Sequence, residues 1–195
     1  YSVAWLDLIS KNNFGRGILE TANHEISNPH PEFSYIAKPT LPLPNHLADT
    51  FFRRSTVKAY NSLRFLSAGK TETIRKTKLS TFMHPLDKVR NWNRLYGKSG
   101  IIQWQIAVPE VSEHALFDVI DSIKKAKVPA FLVVLKKLGA SNQAPLSFPM
   151  QGWTLAVDFP ANYKRIYRFL DSLDQAQKAQ IRSKLSLSLT CAEDR

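Results

Sequence analysis

One cysteine, Cys191, stands in 195 residues. That excludes an internal disulfide framework and any cysteine-rich metal site, and it fits a reducing, cytoplasmic compartment. The five histidines (His24, His30, His46, His84 and His114) show no metal-ligand spacing and form no HExxH pair, so no metal is expected. No apolar run approaches the roughly 18 residues of a membrane span. Glycine is scarce, at seven. Gly15 and Gly17 in "FGRG" lack the third glycine and the strand–turn–helix setting of a dinucleotide loop, and a plain turn is the simpler reading. A Walker loop and a GxSxG elbow are also missing. If the chain takes part in redox chemistry, the cofactor's phosphates are held elsewhere.

Acidic residues are short as well: 16 against 27 lysines and arginines, a formal charge of +11. Such a surplus suits an anionic partner, whether a phosphorylated substrate, nucleic acid or an anionic membrane surface. A solvated basic surface gives the same count. A chain of this length buries about 70 % of its unfolded surface, enough for one domain with its own core. It opens on Tyr1 in a strand-like run with no leader to interpret, and the expectation is a piece cut from a longer protein.

Three regions separate along the chain. Residues 1–20 give a strand, "YSVAWLDL", then a turn at "NNFGRG". Residues 21–80 read as a long irregular loop region, since five of the eleven prolines fall between Pro29 and Pro44 and proline fixes φ and removes a donor. The tail of that region, "STVKAYNSLRFLSAGK", carries a helical turn or two ending near Gly69. From 81 to 190 the pattern is regular. "HPLDKVRNWNRLYG" sets Pro85 at a helix start and Gly97 just past its end. A strand over 101–108 follows, then a helix with Ser112 as cap, Leu116, Val119, Ile120 and Ile123 as its apolar stripe, and lysines at its C-terminal end. "PAFLVVLKKLG" and "GWTLAVDFP" are strands. A second helix spans about 161–184, with Ile166, Phe169, Leu170 and Leu173 inward, and "LSLSLT", 185–190, is a last strand. Strand, helix, strand, strand, helix, strand is the split βαβ order. The expected fold is therefore α+β and ferredoxin-like, a mainly antiparallel sheet with helices on one face.

The strand "IIQWQIAVP" raises the functional question. Alternation sends Ile102, Trp104, Ile106 and Val108 to one face, and Gln103 and Gln105 to the other. An unsatisfied buried amide costs roughly 1–3 kcal/mol, so the pair needs partners. Either the face is solvated, or the two amides are forks for a ligand's carbonyls and hydroxyls. Lys136 joins them if Phe131, Val133 and Leu135 pack on the helices, and a lysine there stabilises developing negative charge. Thr154 and Ala156 share the same face. Trp5 is either core or the wall of a pocket. An RNA-recognition module would need aromatics on the open face, and the pattern puts none there, so no nucleic acid is expected.

"YSVAWLDL", "FMHPLDKVRNWNRLYG", "IIQWQIAVP", "FLVVLKKLG" and "NQAPLSFPMQGWTLAVDFP" together resemble, in order and spacing over 1–160, the vanillyl-alcohol-oxidase-type FAD-linked oxidases that act on polyprenyl-phosphate sugars. The match is to the family's substrate-binding (cap) domain. The resemblance implies FAD as cofactor, with the FAD-binding domain absent from this chain. It implies oxidation of a pentose 2′-hydroxyl by hydride transfer to flavin, a short-chain reductase as partner, and contact with a membrane surface. Residue by residue it puts Trp5 in the substrate pocket, Gln103 and Gln105 beside isoalloxazine and substrate, and Lys136, followed by Lys137, in the same cavity. Thr154 and Ala156 stand where some members carry an asparagine and a cysteine, and Met83 where some carry a tyrosine. If "AED" matches the family's "AKD", Glu193 reverses a charge beside the flavin. An aldonolactone oxidase cap, an inactive fragment of a broken gene and a basic binding module remain as alternatives.

Overall fold

A computed structural model describes residues 1–10, 15–25, 41–42, 53–69, 71–83, 89–91, 99–144 and 150–178. Strands β1 (Ser2–Asp7), β2 (Arg16–Thr21), β5 (Ile101–Pro109), β6 (Val133–Leu138) and β7 (Gly152–Pro160) form one sheet in the order β2-β1-β6-β7-β5. Every neighbouring pair in it is antiparallel. The two-residue strands β3 (Leu41–Pro42) and β4 (Val89–Arg90) pair separately and in parallel. The described helices are α1 (Arg54–Ser67), α2 (Leu79–Met83), α3 (His114–Ala126) and a fourth, α4, over 166–178.

β5 and β6 both run antiparallel to β7 and so run parallel to each other, with β7 inserted between them and α3 as the crossover. This is the split βαβ unit that the sequence order predicts. β7, paired on both sides, is apolar along its inward face: Leu155, Val157 and Phe159 are fully buried. They meet the α3 stripe of Leu116, Val119, Ile120 and Ile123, together with Ile166, Leu170 and Leu173 of α4. Trp104 and Val108 of β5 join the same core, as alternation requires.

Several expectations are corrected. Residues 21–80 are not irregular throughout, for the strand β2 runs to Thr21 and α1 holds 14 residues rather than a turn or two. Both elements escape a periodicity reading because little of them is buried. α1 buries only Val57 and Asn61, and β2 is an edge strand fixed by its register on β1. The helix expected after Pro85 is contradicted where the chain is described, because Val89 and Arg90 extend beside Leu41 and Pro42. Ser112 does not cap α3. It lies in a 3-10 turn (Glu110–Ser112), and the residue before the helix is Glu113, whose side chain makes no capping bond. α4 begins at 166 rather than near 161, after a run of turns, and the strand expected at 185–190 lies outside the described residues.

Candidate functional site

The register assembles the face opposite the core. Gln103 faces Asp158 and Gln105 faces Ala156 across β5–β7. Val134 faces Ala156 and Lys136 faces Thr154 across β7–β6. Lys136 and Val134 in turn face Val3 and Trp5 of β1. One sheet surface therefore carries Gln103, Gln105, Thr154, Ala156, Lys136 and Trp5, six of the seven residues singled out from sequence. Met83 is not among them. It ends α2, half-exposed, on an element that contributes no strand to this sheet. Glu193 lies outside the described residues.

The two amides find partners within the sheet. Gln103 Nε2 donates to Asp158 Oδ1 at 2.9 Å, and Gln105 Nε2 donates to Thr154 Oγ1 at 2.8 Å. Asp158 is 2 % exposed, and a carboxylate at that depth costs several kcal/mol unless hydrogen bonds replace its water. Sequence reading missed Asp158 as a site residue. The signal was its parity in "TLAVDFP", which sets it on the side of Thr154 and Ala156.

The adjacent lysines separate by face. Lys136 is exposed on the glutamines' face, opposite Thr154, and among the described residues no carboxylate pairs with it. Lys137 points the other way. Its Nζ lies 2.6 Å from Glu110 Oε1 and 5.2 Å from the centre of the Trp153 ring. That hydrogen bond, a second from Gln151, and the charge of Lys137 hold the Glu110 carboxyl below its ordinary pKa. Lys137 is thus a surface tie across the β6–β7 end, while Lys136 is the cation of the candidate site.

Trp5 lies on this face and is buried, its ring covered by the Arg64 guanidinium at 5.1 Å. α1 therefore reaches the glutamine face at its β1–β2 end. There Asp7, fully buried, accepts from Arg16 Nε (2.9 Å), Asn61 Nδ2 (2.8 Å) and the backbone N–H of Ile9 (3.1 Å). Arg16 also donates to Ser62 Oγ at 2.8 Å and stacks over Phe65 at 4.7 Å. α1 thus covers the face over Trp5 and Asp7, while Gln103, Gln105 and Lys136 are exposed on it.

Chemically, the exposed part sets the small side chains of Ala156 and Thr154 between two amides and one cation. Such a set of groups can hydrogen-bond a polar ligand. No described helix is long and apolar enough to cross a membrane. No protein-family model matches the chain. Over 182 residues, 90 % of its length, the chain is 32 % identical to the decaprenylphosphoryl-β-D-ribose oxidase of Mycolicibacterium smegmatis, and it spans 39 % of that protein.

Proposed function

We propose that this chain is the substrate-binding part of an FAD-dependent oxidoreductase that oxidises the 2′-hydroxyl of a polyprenyl-phosphate pentose. The observation that carries the reading is that Gln103, Gln105 and Lys136 are all exposed on the one sheet face opposite the core. Similarity to a decaprenylphosphoryl-ribose oxidase supports the substrate class. A bound flavin supplies the two-electron acceptor that alcohol oxidation needs, which no side chain provides.

The chain's own residues bind and orient. The Gln103 carbonyl accepts from a ligand N–H or O–H group, and the Gln105 amide hydrogen-bonds the ligand beside it. Lys136 would place its positive charge near the negative charge that develops on the bound ring. Trp5, pinned under Arg64, forms the floor of the closed end. The phosphate of the substrate is met by the basic surface. The outward side of α1, with Lys58, Leu63 and Leu66, and the exposed run around Ile74, Arg75 and Lys78, suits an anionic membrane surface from which a polyprenyl lipid is drawn. A short-chain reductase is the partner that would return the ketone to an alcohol.

A chimaera tests the proposal: this chain replaces the matching part of the mycobacterial oxidase, and dye reduction is followed with a short-chain polyprenyl-phosphoryl-ribose. The expected result is substrate-dependent dye reduction that Lys136→Met lowers at least about tenfold. A folded, flavin-bound chimaera that reduces no dye with this substrate would overturn the substrate assignment.

A further inference from the structure

A buried carboxylate sits at the β5–β7 part of the face, among the Gln103 and Gln105 amides, the Thr154 hydroxyl and the Ala156 methyl. Asp158 lies directly opposite Gln103 in the β5–β7 register, is 2 % exposed, and accepts the Gln103 Nε2–H at 2.9 Å. A carboxylate can only accept, so it takes the NH2 end of the amide and never the carbonyl end. The Gln105 amide has no such constraint, because the hydroxyl of Thr154 can donate as well as accept. Two glutamines at neighbouring positions of one strand face therefore differ: one is locked, the other is free to turn over.

We infer that Asp158 is a positioning residue that fixes the Gln103 amide with its carbonyl outward, so that this point of the site recognises a ligand donor, N–H or O–H, and rejects an acceptor. The inference rests on the reading of this face as the ligand-bearing one. It gives the site a polarity. Lys136, two strands away, offers only donors. A ligand must then present a donor toward Gln103 and an acceptor or negative charge toward Lys136. Gln105 adapts to either. The donor comes from one of two sources, the imide N–H of a flavin ring or a sugar hydroxyl, and the site chemistry is the same for both.

Side-chain amide NMR of the 195-residue chain tests the lock. In the wild type the Gln103 Nε2 protons are expected to be split widely, one shifted downfield by the charged acceptor, while Gln105 shows a smaller split. In Asp158→Asn, which keeps the shape, the downfield Gln103 proton is lost and Gln105 is unchanged. Gln103 resonances like those of a solvated glutamine in the wild type would overturn the lock.

Lumiflavin, 3-methyl-lumiflavin and methyl β-D-ribofuranoside are then titrated at millimolar concentration. If the donor is the flavin imide, lumiflavin shifts Gln103 and its 3-methyl derivative binds about fivefold more weakly, the loss expected for one hydrogen bond; Asp158→Asn erases that preference. If the donor is a hydroxyl, the riboside shifts Gln103 and the two flavins do not differ. Shifts at Gln105 and Lys136 without any at Gln103 would overturn this inference alone. Absence of shifts at all three residues would instead remove the ligand-bearing reading of the face, and the inference with it.

Discussion

Removal of the Asp7 carboxylate tests how the closed end of the site is held. Asp7→Ala deletes three hydrogen bonds at once and leaves Arg16, Asn61 and the Ile9 N–H without their acceptor. Asn61 is 1 % exposed and the Arg16 side chain 21 % exposed, so water reaches the arginine but not the amide. Breaking a buried pair by removing one partner costs about 3–5 kcal/mol. The lower part of that range applies here, since Arg16 keeps Ser62 and the face of Phe65. With an m-value of about 2 kcal/mol per molar urea, the unfolding midpoint should fall by about 1.5–2 M. Asp7→Asn keeps one acceptor oxygen for Asn61 and Ile9 but turns an NH2 toward Arg16, and should lose about half as much. The assay is urea unfolding followed by tryptophan fluorescence, with Asn61→Leu and the double variant completing a cycle. A midpoint shift under about 0.5 M for Asp7→Ala would refute the claim that this network stabilises the fold on balance. Additive single and double variants would show that Asp7 and Asn61 do not act as a unit.

Three further outcomes follow from the same geometry. Gly152→Ala should destabilise by at least about 2 kcal/mol, because a Cβ there would stand 2.2 Å from the Val108 carbonyl oxygen and 2.9 Å from Pro109 Cα; an unchanged melting temperature would disprove the tight backbone contact between β5 and β7. Leu155→Ala, at a fully buried central position, should cost about 2–5 kcal/mol in urea unfolding, and a loss under 1 kcal/mol would mean that the core lies elsewhere. Carboxyl NMR should find Glu110 titrating below 4.5, and Lys137→Met should raise its midpoint, since hydrogen bonds and the lysine charge favour the ionised form. Because its folded pKa is depressed, Glu110 contributes stability above its unfolded pKa and loses that contribution as pH falls through its folded value.

What the sequence determined by itself is the part of the molecule where burial writes a period. The alternation of Ile102, Trp104, Ile106 and Val108, the helical stripe of α3, and the apolar run of β7 all reflect contact with one core, so their order alone gives the split βαβ unit. The same alternation by itself puts Gln103, Gln105, Thr154 and Ala156 on one face. Residues whose structure depends on partners far along the chain left no such trace. α1 reads as polar because it is held through Asn61 to Asp7 and through Arg64 to Trp5, contacts between residues more than fifty positions apart. β2 is legible only as the edge partner of β1. Only the tertiary structure decided that Lys136 is exposed on the glutamines' face while Lys137 is tied to Glu110, and that a buried Asp158 accepts from one amide of the pair. Periodicity records which side of an element is dry, whereas hydrogen bonds between polar side chains depend on register across strands, which the fold alone sets.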